Sequence, residues 1–127
     1  MLTIREAQLE AFRAESSRTF RLRLIAHVRE NYPEVYAEWN DAGTASFIDR
    51  LVSKARTNRV DAEGAVIILL ELMLEYGEEF QRSPEREWAR NLLAHRSLPA
   101  HIKMEAIRDR FADRADGRRL VAFRPPK

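Results

Sequence analysis

The stretch DAEGAVIILLELMLEYG, residues 61 to 77, decides how this chain is read. Asp61 is a suitable N-cap, Glu63 suits the positive end of a helix dipole, and Gly77 suits the C-terminal stop. Between them Val66, Ile67, Ile68, Leu69, Leu70, Leu72, Met73 and Leu74 leave only Glu71 and Glu75 polar over the last three turns. A helix that is apolar on nearly every side has to be enclosed by other helices. Residues 61–76 are therefore expected to be the buried hub of an all-α protein. The unbroken apolar run, residues 65–70, is far shorter than the roughly 20 residues a membrane span needs.

Upstream of the hub, Thr3 and Glu6 have the spacing of a capping box, so a first helix is expected from residue 4 to about 31. Its apolar stripe runs through Ile4, Phe12, Phe20, Leu24, Val28 and Tyr32, widened by Leu9, Leu22 and Ile25. It is read as one helix, and Ser16 and Ser17 are where it could bend or split, since serine competes for backbone hydrogen bonds. Pro33 stops this helix and opens a short one over residues 33–39. A loop is expected at 40–43. Thr44 would then cap a helix to about residue 57 that buries Phe47, Ile48, Leu51, Val52 and Ala55, with Asn58 in a left-handed exit.

Downstream, Ser83 and Pro84 have the N-cap and N1 arrangement, opening a helix with Trp88, Leu92 and Leu93 inward. A last helix, from residue 99 to about 114, would bury Met104, Ile107 and Phe111 together with Ile102 or the stem of Lys103. No segment alternates at period two for long enough to be a strand. The fold class is thus all-α: a single-domain bundle of five to six helices around a central helix at about 61–76. Residues 1–114 form the helical domain and 115–127 a basic C-terminal tail, flexible or docking.

Composition agrees with one ordered domain: 127 residues, 45% hydrophobic and 33% charged, with four Gly and five Pro. Cysteine is absent, which removes disulfides, thiolate metal sites and a Cys nucleophile. The N-terminal sequence MLTIREAQLEAF has no basic start followed by an apolar core, so no secretory leader is expected and the location read from it is cytoplasmic. The net charge of +2 is unevenly distributed. Residues 114–127 hold five Lys or Arg against one acid, whereas the other 113 residues hold 17 against 19.

The three histidines, His27, His95 and His101, lack the i, i+4 spacing of a helical zinc pair, and no Glu-x-x-His motif supports a carboxylate metal site. No serine sits in a nucleophile elbow and no glycine pattern cradles phosphate. Catalytic residues, bound metal and cofactors are accordingly all read as none, and the chain as not an enzyme. Glu71 would need an Arg partner, or would have a raised pKa, if it faced inward. Interaction chemistry remains. Tyr36, Trp39, Phe80 and Trp88 are candidate groove anchors for a partner protein, and Glu75, Glu78 and Glu79 are a candidate acidic surface.

The order of landmarks adds a resemblance. Ile4, Gln8, Phe12, Phe20, residues 24–27, Tyr32-Pro33, Ala55, Asp61-x-Glu63, the apolar hub, Tyr76-Gly77-x-x-Phe80, Ser83-Pro84, Trp88-Ala89 and Leu92 follow one another across residues 4–111. This pattern resembles small helical proteins of unassigned activity encoded beside spike and effector genes of bacterial type VI secretion loci. The resemblance implies an adaptor or cognate accessory protein for a secreted effector, and it designates no catalytic residue. The expected partner is another protein: an effector, a toxin or a secretion component. An immunity protein that plugs a neighbouring toxin with its acidic surface is the alternative. A nucleic-acid-binding regulator would rest on Arg118, Arg119, Arg124 and Lys127 alone.

Overall fold

A computed structural model describes the backbone of residues 4–113 and the side chains of residues 17–113. Among these residues the protein is all-helical, with no strand. Five α-helices follow one another: α1, Ile4–Asn31; α2, Pro33–Thr57; α3, Glu63–Tyr76; α4, Glu87–Ala94; and α5, Ala100–Asp113. Two 3₁₀ turns, Phe80–Arg82 and Pro84–Arg86, lie between α3 and α4. The chain forms two compact units, residues 1–48 and 49–127, with the division inside α2. The expected Thr3 cap, the Ser16 side chain and the basic tail at 115–127 lie outside the described residues.

In the first unit α1 presents Leu24 and Val28 inward, four residues apart. Leu22, expected to widen the stripe, is instead 60% exposed. Helix α2 contains the short helix, loop and longer helix read from the sequence, but the loop is reduced to one residue. Asn40 has φ 58° and ψ −170°, and the chain is helical again from the next residue. Asparagine tolerates positive φ better than most residues. Its Oδ1 accepts the N–H groups of Ala42 at 3.0 Å and Gly43 at 3.2 Å, which is the N-cap bond pattern. Asn40 therefore caps the second half of α2, the role expected of Thr44. Thr44 is fully buried, and its hydroxyl has no hydrogen-bond partner among the described residues.

The helix resumes so early because Gly43 lets it. A Cβ at residue 43 would lie 3.0 Å from the Cβ of Trp39, on the far side of the break. Trp39 closes across the kink onto Phe47, ring centroids 5.0 Å apart. The Tyr36 hydroxyl donates to Asp41 over the same break.

The second unit is built on α3. Eight of its fourteen residues are buried: Ala65, Val66, Ile68, Leu69, Leu70, Leu72, Met73 and Leu74. Burying each large aliphatic contributes roughly 1.5–3 kcal/mol, so the hub read from the sequence is where the apolar burial of this unit concentrates. Helix α5 packs along α3, and α4 packs on α5 and on the first 3₁₀ turn. The capping differs at both ends of the preceding link. Ala62, not Asp61, is the N-cap of α3 and makes no side-chain cap bond. Arg59, not Asn58, is the left-handed residue after α2, with φ 56°.

That exit has the hydrogen bonds of a Schellman motif, in which the Val60 N–H reaches back to the Ala55 carbonyl at 2.7 Å. Val60 is buried, so the apolar residue that must turn inward fixes the left-handed position one residue before it. Gly77 ends α3 with φ 109°, its N–H on the Met73 carbonyl. Ser83 and Pro84 begin a 3₁₀ turn rather than the helix itself, which starts at Glu87.

Candidate functional site

The C-terminal end of α3 gathers most of the chemistry of the second unit. Phe111 of α5 is the centre of an aromatic cluster: its ring centroid lies 4.3 Å from Tyr76, 5.4 Å from Trp88 and 5.8 Å from Phe80. Arginines cover the outer faces. The Arg86 guanidinium sits 4.9 Å from the Phe111 ring centre and 5.9 Å from that of Tyr76, and Arg110 sits 4.4 Å from Trp88. Such cation–π contacts are worth about 0.5–1 kcal/mol each at exposed sites. Arg86 also donates to the Phe80 carbonyl at 3.2 Å, and Arg90 to the Gln81 carbonyl at 3.4 Å.

A second cluster lies on the neighbouring surface, in a groove of about 440 Å³ whose lining includes Arg50, Lys54, Glu78, Glu79 and Gln81. Lys54 extends from α2 and donates to the Glu78 carbonyl at 2.6 Å and to Gln81 Oε1 at 2.8 Å. It also pairs with Glu79 at 3.6 Å and lies 5.0 Å from the Phe80 ring centre. Burial lowers the Lys54 pKa from 10.5, with Glu79 and Glu78 opposing the shift. Arg50 binds Glu78 at 2.9 Å, and Arg82 binds Glu79 at 3.3 Å.

The sequence-derived candidates therefore fall into different surroundings. Tyr36 and Trp39 belong to the first unit, where both bridge the Asn40 kink. The bond to Asp41 raises the Tyr36 pKa above its usual 10.0, with Arg29 acting against it. Phe80, expected as a groove anchor, is 1% exposed and belongs to the core. Trp88 is half-buried beside Arg110, with one edge of the cluster reaching solvent. Glu78 and Glu79 are engaged by Arg50, Lys54 and Arg82, so the acidic surface read from the sequence is largely balanced where those two residues stand. Glu75 lines a separate groove of about 360 Å³ between α3 and α5, together with half-buried Glu71, Tyr76 and Arg108.

Sequence reasoning left one buried charge without its role. Lys103 is 1% exposed, and its ammonium donates to the carbonyls of Asn58 at 2.6 Å, Leu93 at 2.8 Å and His95 at 3.1 Å. All three of its N–H donors are used. The accepting carbonyls sit at the C-terminal ends of α2 and α4, where backbone acceptors lack helical partners and the dipole favours a cation. Burial lowers the Lys103 pKa from 10.5; Asp61 pulls it up and Arg59 pulls it down. A signal existed, since Lys103 falls in the inward stripe of Ala100, Met104, Ile107 and Phe111. Ile102, the other residue considered for that side, is 46% exposed.

Among the described residues no group of three or more His, Cys, Asp or Glu side chains is placed to hold a metal ion. No helix among them is long and apolar enough to cross a membrane. Compared with family models, with curated proteins and with solved structures, the chain matches none.

Proposed function

We propose that this chain is a non-enzymatic protein-binding module, an adaptor or cognate accessory protein for a secreted bacterial effector, working in the cytoplasm. The observation that carries the reading is the surface around Trp88: a half-buried indole packed on Phe111 and overlaid by Arg110, with Tyr76 and Arg86 against the same Phe111 ring. Tryptophan, tyrosine and arginine are the residues in which protein interfaces concentrate binding energy. The order of landmarks from Ile4 to Leu92 supports the secretion context. Immunity by an acidic plug draws less support, because Glu78 and Glu79 already have basic partners.

The test is retention of the products of neighbouring genes on the tagged full-length chain, repeated with Trp88→Ala. Truncating an interface tryptophan of this kind costs about 2 kcal/mol or more, near thirtyfold in Kd. Loss of retention at a temperature where the circular dichroism spectrum shows the helical fold intact is the expected result, with the melting midpoint lowered by the lost packing on Phe111. Retention that survives Trp88→Ala, or no retained product at all, would overturn the proposal.

A further inference from the structure

Several basic side chains of the second unit have carboxylate partners. Arg50, Lys54 and Arg82 are matched by Glu78 and Glu79, and Arg108 by Glu105 and Asp109. Arg86, Arg90 and Arg110 are different. Among the described residues no carboxylate pairs with any of them, although Glu85 and Glu87 are close in sequence; Glu85 accepts the Ser83 hydroxyl at 2.7 Å instead. The three are nevertheless held in place. Arg90 and Arg86 donate to consecutive carbonyls of the first 3₁₀ turn, Arg86 lies over Phe111, Phe111 touches Trp88, and Trp88 carries Arg110. Each contact uses a ring face or a single N–H. A guanidinium has five N–H donors in its plane, so most of the donor edge of each remains for an incoming acceptor.

Guanidiniums oriented on a ring, as Arg86 and Arg110 are, or by a carbonyl, as Arg90 is, and without a carboxylate of their own among the described residues, are preorganised for planar anions, and a carboxylate can be taken by two parallel N–H bonds. We propose that Arg86, Arg90 and Arg110, with Trp88 under Arg110, seat an acidic peptide segment of the partner. Its Asp or Glu carboxylates lie on the guanidinium edges and an apolar side chain lies against the indole. The inference rests on the binding-module reading above and names the chemistry of its partner. Peptide is favoured over nucleic acid because Arg110 and Phe111 engage the faces of the half-buried Trp88 ring, so an apolar side chain can rest against its exposed edge but a base has no open face to stack on.

The experiment is selection of a random-peptide phage library on the immobilised full-length chain. Selected peptides are then titrated against the wild type and against an R90Q/R110Q double variant. Arg86 is left in place because it also holds the Phe80 carbonyl. The expected outcome is enrichment of Asp and Glu next to an aromatic or aliphatic residue. Binding should weaken at least tenfold in the double variant, about what losing one charge-assisted bond produces, and should weaken further with added salt. Circular dichroism melts of the variant confirm that the fold persists.

Enrichment of apolar or basic peptides alone, equal affinity for the double variant, or displacement of a selected peptide by a single-stranded oligonucleotide would each overturn the inference. So would enrichment of no peptide. In all of these cases the binding-module reading stands or falls separately, on retention of neighbouring gene products and its dependence on Trp88.

Discussion

Replacing Lys103 by methionine keeps the aliphatic stem and removes the ammonium that serves three carbonyls. Leaving a buried acceptor unsatisfied costs about 1–3 kcal/mol, so three give roughly 3–9 kcal/mol. Against this, the variant no longer carries the desolvation cost of a buried charge, several kcal/mol in practice. The expected net loss is about 2–4 kcal/mol, a lowering of Tm by about 10 °C for a chain of this size. Urea unfolding followed by circular dichroism at neutral pH measures it. The difference between wild type and variant should also grow at high pH. Because the folded pKa of Lys103 lies below the unfolded 10.5, the unfolded chain holds the proton more tightly. The contribution of Lys103 is therefore constant below the folded pKa and rises as pH climbs from there to 10.5. A variant as stable as the wild type would refute the account of this ammonium as the donor that serves the helix ends, and a difference that shrinks over that interval would refute the lowered folded pKa.

Three further substitutions test the turns. Arg59→Gly relieves a left-handed residue and should stabilise by about 1 kcal/mol in the same urea assay; destabilisation would mean that the Arg59 side chain contributes more than its backbone costs. Thr44→Val removes a buried hydroxyl without a partner and should raise stability by about 1 kcal/mol, whereas a loss would show that the hydroxyl is satisfied. Gly43→Ala should yield no net gain in Tm, because the improvement of about 1 kcal/mol in helix propensity is offset by a Cβ 3.0 Å from Trp39. A full gain would indicate that the kink opens without cost.

The hub was legible because burial on every side leaves a continuous apolar stretch, and nothing else in the chain has that pattern. Helix ends were legible to within a few residues, and Gly77 was read correctly because a glycine after an apolar helix has one common use. The assignments at Asn40, Arg59 and Asp61 needed information from elsewhere. Asn40 caps because Trp39 and Phe47 close over Gly43, and Arg59 turns left-handed because Val60 must be buried.

Neither constraint is local to the residue it determines. The site divides in the same way. Trp88 stood out as an aromatic at a helix start, but Phe80 carried the same signal and is core. Arg86, Arg90 and Arg110 are three arginines among many in sequence; only the lack of carboxylate partners among the described residues, a property of the fold, separates them from Arg50 and Arg82.

The ammonium of Lys103 reaches a carbonyl 45 positions earlier in the chain. Synthesis runs from the N-terminus, so α2 and α4 are polymerised before the side chain that serves their C-terminal ends exists. Without that ammonium the Asn58, Leu93 and His95 carbonyls lose their donor, and burying them unserved is costly. The last helix thus acts as a completion signal: a chain stalled anywhere before residue 103 has its hub sequence but lacks the cation that locks it.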